Sequence, residues 1–473
     1  MRIRTLALAL AIGLSSVPPA LAADDLTALK AELTRLAERI AALEGHNKEL
    51  EKALATDRLS EREPEVVTRL KAVEFQTLSM QKQARQIEAL EGISVGASLT
   101  GVVQKVNRAG AAGSERESRA NYRGDLSVSL PGGEMGDIEG RIFTHVRFGQ
   151  GNGVGLRPTY TSTPNTTAFQ TNAGADDSFA ILAQAWYQLK VPLPRDGIKA
   201  NSREHLHLTF GKIDPFVFFD QNAAADDESA KFMNNAFVHN PLLDSGGDVG
   251  ADAYGFTPGA IVQYVNERQK GSEWMLSLGA FGSGPGANFS GSLASPLVIA
   301  QAETQARFNY LPGSYRAYLW SNGRGVGYDN VERRHVGIGA SADQKVADNL
   351  TLFARYGHQI KGKVKFDHAL TVGTELAGGA WGRAADGLGM AVGALRTSGD
   401  FRTDSAGIDA DGDGNADFGY QATGWEKQAE LYYRYKVNGK FELTPDLQLI
   451  QRPAGDGATR SIKVIGLRAK IGI

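Results

Sequence analysis

The sequence predicts an all-β protein, a transmembrane antiparallel β-barrel of about 16 strands, preceded by an α-helical coiled coil. Three observations support this prediction. From residue 93 onward, apolar residues recur at every second position in segments of about ten residues, the length of a tilted strand that crosses a membrane. Aromatic residues stand near the ends of these segments. The sequence also ends within such a segment, IKVIGLRAKIGI.

The whole-chain composition excludes several classes of protein. The 473 residues carry a formal net charge of −2, so the overall charge does not point to a nucleic-acid partner. The absence of cysteine excludes disulfides and thiolate metal sites. Catalytic motifs such as HExxH or a Walker loop are absent from the sequence. We therefore expect no nucleic-acid binding, no enzymatic activity and no obligatory cofactor.

The first residues, MRIRTLALALAIGLSSVPPALA (1–22), have the features of a secretory signal peptide. Two arginines come first, an apolar run extends from Leu6 to Leu14, and Ala20-Leu21-Ala22 forms a small-residue cleavage motif. The alternative is a transmembrane anchor, but the run is shorter than the roughly 20 apolar residues of a spanning helix. We expect an exported protein.

Residues 23–91 are predicted to form a coiled coil in the periplasm. Apolar residues alternate in steps of three and four from Leu26 to Leu54, which is the heptad pattern. Asn47 occupies an a position, where a buried polar residue favours parallel pairing with its own copy. Pro64 interrupts the pattern before a second stripe begins. The alternative is a single amphipathic helix packed on a domain.

Residues 92–473 are predicted to form the barrel. In IEGRIFTHVRF (138–148), Ile142 and Phe148 share one face while Arg141 and Arg147 share the other. In a soluble β-sandwich the apolar face would be the core. In a membrane barrel it would face lipid, and the charged face would line the lumen. The segment lengths and the positions of the aromatic residues favour the barrel.

The stretch GKIDPFVFFDQNAAADDESAKFMNNAFVHNP (211–241) resembles the signature of the carbohydrate-selective outer-membrane porins. The matching residues are Gly211, Lys212, Asp214, Pro215, Phe219, Asp220, Asn222, Phe232, Asn234, Ala236 and Phe237. Leu443-Thr444-Pro445-Asp446-Leu447-Gln448 is similar to the family's penultimate strand. The sequence departs from the family at Ile473, where such barrels usually end in an aromatic residue, and in its N-terminal helical region.

The resemblance implies an outer-membrane porin of a Gram-negative bacterium that allows passive, selective diffusion of small carbohydrates or related polar solutes. It also implies contact with membrane lipid and assembly as a homotrimer, which the coiled coil would assist. Two alternatives remain open. The protein could be an envelope tether that links the outer membrane to deeper layers, or a general, non-selective porin.

Residues 216–240 are mixed in character, and we expect them to fold into the lumen and narrow it, because irregular backbone at membrane depth is tolerated within a water-filled barrel. The carboxylates predicted to face the arginine-bearing wall are Asp220, Asp226, Asp227 and Glu228. An ordinary external loop is the alternative. The Gly-, Thr- and Asn-rich residues 150–177 are expected to form an external loop.

The candidate pore residues are those on the lumen side of the alternating pattern, since guanidinium groups offer several donors and aromatic rings offer apolar surfaces to a sugar. They are Arg141, Arg147, Arg307, Arg316, Arg355 and Arg434, with Arg468 near the end, and the aromatic residues Trp186, Trp320 and Tyr432. For any one of them, a solvated wall residue is the alternative.

The string DADGDGNAD resembles a calcium loop in the spacing of its carboxylates. The candidate ligands are Asp409, Asp411, Asp413 and Asp417. The position of the usual bidentate glutamate holds Tyr420, so the helix–loop–helix form is absent. The alternative is a flexible, acidic hairpin tip.

Overall fold

The computed structural model describes residues 92–472 apart from 114, 162, 170–177, 194–201, 245–254 and 285–290, together with eight residues between 34 and 45. The eight N-terminal residues are helical and exposed. The signal peptide and nearly all of the coiled coil, including Asn47 and Pro64, lie outside the described residues and stay predictions. Among the described residues, no helix has the length and hydropathy of a membrane span.

Gly92 begins a unit that consists almost entirely of strands. Its strands, β1 to β16, are Ser94–Val106, Glu117–Met135, Ile138–Gln150, Phe179–Pro192, Glu204–Ile213, Thr257–Asn266, Trp274–Phe281, Leu297–Phe308, Leu311–Val326, Glu332–Ala347, Leu350–Lys361, Phe366–Ala377, Gly387–Thr397, Trp425–Lys436, Phe441–Gln451 and Ile462–Gly472. The described helices of this unit are α1 (Asn235–Val238), α2 (Gly399–Asp404) and the short 3-10 helices Pro215–Val217, Gly378–Trp381 and Pro453–Gly455.

The 16 strands form a closed antiparallel barrel in which each strand pairs with its neighbours in sequence and β1 pairs with β16. The closing register places Leu99 opposite Ile471 and Val102 opposite Arg468. Closure leaves no strand edge unpaired, so the backbone hydrogen bonds are satisfied within the sheet, as a membrane requires. The predicted antiparallel barrel of about 16 strands is therefore confirmed.

The two faces of the sheet have opposite polarity. Outward side chains are apolar and exposed, for example Leu278 (54%), Leu319 (53%) and Leu447 (53%). Inward side chains include buried charged and amide groups such as Arg355 and Gln301. This is the reverse of a soluble protein and is typical of a barrel whose outer surface faces lipid.

The connections at the two ends of the barrel differ in length. At one end the turns are short, as at residues 136–137, 309–310 and 348–349. At the other end, long connections follow β3, β5 and β13. This asymmetry is typical of outer-membrane barrels, in which the short turns are periplasmic and the longer loops are extracellular.

Candidate functional site

Two long connections fold into the barrel. The first inner segment comprises residues 151–161 and 163–169 after β3, and the second inner segment comprises residues 214–244 after β5. They are joined by backbone hydrogen bonds, since Thr166 N donates to Met233 O (2.9 Å) and Asn235 N donates to Thr163 O (3.3 Å). The expectation of an external loop is therefore wrong for the described part of residues 150–177.

The first inner segment lies inside because wall side chains bind its backbone. Gln104 of β1 and Gln448 of β15 both donate to Pro164 O, at 3.1 and 2.8 Å. Asn121 of β2 donates to Thr167 O at 3.0 Å. Thr167 is fully buried. Composition alone does not distinguish this segment from an exposed loop, because threonine and asparagine can form hydrogen bonds with amide side chains of the barrel wall as well as with water.

The second inner segment begins where Asp214 caps the 3-10 helix Pro215–Val217 by accepting a hydrogen bond from Phe216 N (3.0 Å). Proline at the first helical position supplies no amide donor, so the strand ladder ends there. The short helix α1 is capped in the same way by Asn234, which accepts from Ala236 N (3.0 Å). These local caps turn the chain from the wall into the lumen.

Arg355 on β11 is the main anchor of the second inner segment. Its guanidinium donates to the Asp220 carboxylate (3.2 Å), to Asp220 O (3.0 Å) and to Phe237 O (2.8 Å). Asp220 also accepts from Tyr318 Oη (2.7 Å) and Asn240 N (2.6 Å). Both charged groups are buried, so this ion pair is surrounded by the hydrogen bonds that a desolvated pair requires. Predicted pore residues Arg355 and Asp220 therefore hold the segment in place.

Strand β14, three strands from β11 in the barrel, provides a second anchor. The Glu430 carboxylate accepts from Met233 N (2.6 Å) and Asn234 N (3.0 Å). The Asn234 amide donates to Gln428 (2.9 Å) and Gln448 (3.2 Å). The segment also reaches two strands that are half the barrel apart, since Asp220 N donates to Gln301 of β8 (2.9 Å) and Arg468 of β16 donates to Lys231 O (2.7 Å). It therefore spans the lumen rather than lying along one wall.

A cluster of charges lies where the second inner segment faces β2 and β3. Glu228 accepts from Arg123 (2.7 Å) and lies 4.0 Å from Arg147. Asp125 accepts from Arg123 (2.9 Å) and Arg147 (2.7 Å). Burial raises the pKa of Glu228, but the charges of Arg123 and Arg147 outweigh burial and lower it overall. The carboxylate is therefore ionised beside two arginines.

Asp227 faces β16. It lies 3.7 Å from Lys470, and Arg468 donates to the backbone oxygens of Glu228 (2.8 Å) and Lys231 (2.7 Å). Partial desolvation by the surrounding lumen wall raises the pKa of Asp227, but Lys470, Ser229 and Arg468 outweigh it and lower the pKa to about 2. Its side chain is 48% exposed, so this charge faces the open part of the lumen.

His239 was missed by sequence reasoning. Its ring stacks on Phe216 at 3.9 Å, and its nitrogens lie 3.4 Å from Asp226 and 2.8 Å from Asp244. Burial lowers the pKa of His239, but the two carboxylates outweigh burial and raise it to about 10. His239 therefore carries a positive charge at neutral pH, and Asp226 has a cationic partner within its own segment.

Four other predicted pore residues lie in the lumen wall and do not belong to the charge cluster around Glu228. Arg316 is buried between Glu303 (3.1 Å) and Asp343 (3.0 Å). Arg434 pairs with Glu375 at 2.9 Å. Trp320 and Tyr432 are buried. The ring of Tyr432 contacts that of Phe232 in the second inner segment edge to face, with ring centroids 5.0 Å apart. These groups belong to the lumen wall.

Arg141 and Trp186 lie together, with the guanidinium 5.7 Å from the ring centroid. Phe143 stacks on the same indole at 4.8 Å. Arg307 lies elsewhere. It is exposed near the short turn after β8, beside Gly271 of the neighbouring turn. The structure does not bring Arg307 to the inner segments, because alternation along a strand gives the face of a side chain and not its height.

Arg123 and Asp125 could have been found from the sequence. Like Asn121, Ser127 and Ser129, they are odd-numbered residues of β2, whose side chains point inward. Extending the two-residue pattern toward the start of that strand therefore places them in the lumen.

Glycine on the inward face of a strand is another signal in the sequence. A Cβ at Gly357 would lie 2.5 Å from Asn240 Oδ1, so only glycine lets the second inner segment approach the wall there.

The predicted calcium ligands lie in the connection between β13 and β14, at the long-loop end. Asp409, Asp411 and Asp413 are exposed and place carboxylate oxygens within 4.8 Å of one another. Asp409 accepts from Gly412 N (2.8 Å) and Gly414 N (2.8 Å). Asp417 accepts from Ala410 N (2.8 Å) and is not among the three clustered residues.

Comparisons with known proteins agree with this architecture. Residues 143–472 match the family model of the carbohydrate-selective porins, OprB family. A sequence search among curated proteins gave no significant match. The high-pH structure of OprB from Pseudomonas putida is similar, with a TM-score of 0.63, 19% identity and coverage of 82% of this chain and 96% of that chain.

Two further solved structures are more distant. The low-pH structure of the same Pseudomonas putida OprB has a TM-score of 0.47, 16% identity and coverage of 83% of this chain and 96% of that chain. The outer membrane channel DcaP of Acinetobacter baumannii has a TM-score of 0.48, 13% identity and coverage of 80% and 97%. Because the family model matches more than half of the sequence, the chain belongs to the carbohydrate-selective porins of the OprB family and is an outer-membrane porin.

Proposed function

We propose that the protein allows passive, selective diffusion of small carbohydrates or related polyols across the outer membrane of a Gram-negative bacterium, without chemistry or energy coupling. The observation that supports this proposal best is the second inner segment. It is fixed across the lumen and presents Asp227 and Glu228 toward Lys470, Arg123 and Arg147. A solute must pass this polar constriction.

The constriction suits neutral polyols for a physical reason. Sugar hydroxyls both donate and accept hydrogen bonds, so carboxylates and guanidinium groups on opposite sides can each bind them. Opposed charges also orient polar solutes while giving little net attraction to free ions. Phe143, which is partly exposed and stacks on the buried Trp186, adds a small apolar surface that suits the C–H face of a sugar ring.

Purified protein in a planar lipid bilayer tests this function. We expect ion conductance that a monosaccharide reduces in a saturable manner, because a sugar bound in the constriction excludes ions. Conductance that sugars do not alter would favour a general porin. Absence of conductance would favour an envelope tether. Either result would contradict the proposal.

The proposal includes the absence of catalysis. One string, Gly92-Ile93-Ser94-Val95-Gly96, has the spacing of a serine-hydrolase nucleophile motif. That motif requires a strand-to-helix turn, whereas Ser94 begins strand β1 and pairs with Ser129 of β2. Calcium in the loop that carries Asp409 also stays a prediction.

We propose that residues 23–91 lie in the periplasm and support a homotrimer. Both β1 and β16 have their free ends at the short-turn end of the barrel, which agrees with a periplasmic N-terminal region. Deleting residues 24–90 is expected to weaken the oligomer in chemical cross-linking, since the heptad stripe is removed. The barrel should still insert, because its 16 strands are intact. Failure of the deleted form to insert would contradict this role.

A further inference from the structure

A pair of histidines lies on the outer surface of the barrel, outside the channel. His358 on β11 and His368 on β12 are directly opposite in the strand register. Their ring centroids are 4.0 Å apart. Each histidine is two residues away from an exposed apolar residue of its own strand, Ile360 or Leu370, and therefore points outward as these residues do. They lie near the long-loop end, one outward position beyond Tyr356.

Asp367 positions both imidazoles. A β-bulge in the pairing of β12 with β13 leaves Asp367 without a partner in the register, and bulges commonly re-aim a side chain. The Asp367 carboxylate contacts His368 Nδ1 at 2.9 Å, and its backbone oxygen contacts His358 Nδ1 at 3.2 Å. Arg396 binds the same carboxylate through two hydrogen bonds, at 2.9 and 2.8 Å.

These contacts determine which ring nitrogen carries the proton. A carbonyl oxygen and an ionised carboxylate only accept hydrogen bonds, so Nδ1 is the donor in both rings. In the neutral form, each Nε2 then has a free lone pair, which is the arrangement found in metal-binding histidines whose other nitrogen is held by a carboxylate or carbonyl. Two such lone pairs therefore belong to directly opposed residues whose ring centroids are 4.0 Å apart.

We propose that His358 and His368 form a binding site for a divalent transition metal ion of the zinc, nickel or copper class. Imidazole nitrogen suits these metals. Each histidine contributes Nε2, water completes the coordination, and Asp367 is a positioning residue. The site differs from the acidic loop at Asp409, whose oxygen donors suit hard cations such as calcium.

Four of the other described histidines lack this arrangement. His205 and His207 lie on the inward face of β5 with ring centroids 6.1 Å apart. Both nitrogens of His239 contact carboxylates, and Nε2 of His145 contacts Asp125. The sequence has no cysteine that could compete for these metals. The pair of His358 and His368 can therefore be tested against matched histidines in the same chain.

Calorimetric titration of the purified full-length protein in detergent with Zn²⁺ tests the site. We expect one ion per chain, and a loss of affinity of at least an order of magnitude in His358→Ala and in His368→Ala. Asp367→Asn should weaken binding by about 10- to 100-fold, the usual effect of removing such a supporting carboxylate. With Cu²⁺, electron paramagnetic resonance should show coupling to two imidazole nitrogens, and to one in each single-histidine variant.

The double variant His205→Ala/His207→Ala and the variant Asp409→Asn are the matched controls, and both should retain Zn²⁺ binding. Unchanged bilayer conductance of His358→Ala and His368→Ala, together with heat-dependent migration of all variants in gel electrophoresis, will show that the barrel is folded. The proposal is overturned if His358→Ala and His368→Ala bind Zn²⁺ as tightly as the unaltered protein, or if Cu²⁺ shows no coupling to imidazole nitrogen.

Discussion

Replacing residues 216–240 with a short Gly-Ser linker is expected to raise single-channel conductance several-fold and to abolish discrimination among sugars. The reason is geometric, because this segment spans the lumen from Gln301 on β8, which binds Asp220 N, to Arg468 on β16, which binds Lys231 O. Its removal also deletes Asp227 and Glu228, which face the wall cations. The measurements are conductance in planar bilayers and its reduction by monosaccharides of different stereochemistry.

The barrel should remain assembled without this segment. Arg355 and Glu430 lose buried partners, and breaking a buried ion pair typically costs about 3–5 kcal/mol when the remaining charge stays buried. Here the remaining charges become exposed to the water of a wider lumen, so they are hydrated instead. The strand ladder does not involve the segment. Heat-dependent migration in gel electrophoresis will report the folded barrel.

Shortening the exposed tip at residues 409–416 is the control for this deletion. That tip lies in the connection after β13 and its acidic residues are exposed, so its loss should leave conductance and sugar discrimination unchanged. If the Gly-Ser replacement also changes neither property, the second inner segment does not limit passage through the channel.

The barrel could be predicted because alternation is a strong local signal. Each strand must present apolar groups to lipid and polar groups to the lumen, so a two-residue period is imposed along the whole of β3 or β14. The length of each segment is also constrained by the thickness of the membrane. The coiled coil depends on the same kind of periodic evidence, although its residues lie almost entirely outside the described part of the chain.

The inner segments were harder to predict because nothing periodic marks them. The second could be anticipated from its length and its mixed composition. The first could not, since Thr163, Asn165 and Thr167 would suit an external loop equally well. Their inward position depends on partners far away in sequence, such as Gln104 and Gln448. Non-local pairing of this kind leaves no pattern within the segment itself.

For the candidate pore residues, the sequence predicts which face of the sheet they occupy but not their height along the barrel. The alternation of apolar and polar residues places both Arg147 and Arg307 on the lumen side and does not distinguish between them. Arg147 lies at the constriction, 4.0 Å from Glu228, whereas Arg307 is exposed near a short turn. The height of a residue in the barrel depends on where the strand crosses the membrane and on which loops fold inward, and neither is encoded in the two-residue period.

The triple variant Asp226→Asn, Asp227→Asn, Glu228→Gln is expected to shift the ion preference of the channel toward anions. Each substitution keeps the shape of the side chain and removes one negative charge. Arg123 and Arg147 then keep Asp125 but lose Glu228, and Lys470 loses Asp227. The positive charge that is no longer balanced attracts anions into the constriction. The reversal potential in a salt gradient measures this preference, and it should move in the anion-selective direction relative to the unaltered protein.

Asp220 is excluded from the variant because it acts as an anchor. It is fully buried and accepts hydrogen bonds from Arg355, Tyr318 and Asn240 N, so its replacement would release the segment and mix a change of shape with a change of charge. The three chosen carboxylates lie closer to the open lumen. Keeping Asp220 therefore isolates the electrostatic effect.

A second triple variant, Asp329→Asn, Glu332→Gln, Asp404→Asn, removes the same charge at the long-loop end, where these acids pair with Arg333, Arg324 and Lys363. Because salt screens charges beyond about 10 Å at 0.1 M and about 3 Å at 1 M, the control variant should shift the reversal potential less, and its shift should vanish sooner as salt is raised. Charges within a narrow constriction stay effective, since ions pass within a few ångströms of them. Equal shifts in both variants would mean that the net charge of the protein, and not the second inner segment, determines ion preference.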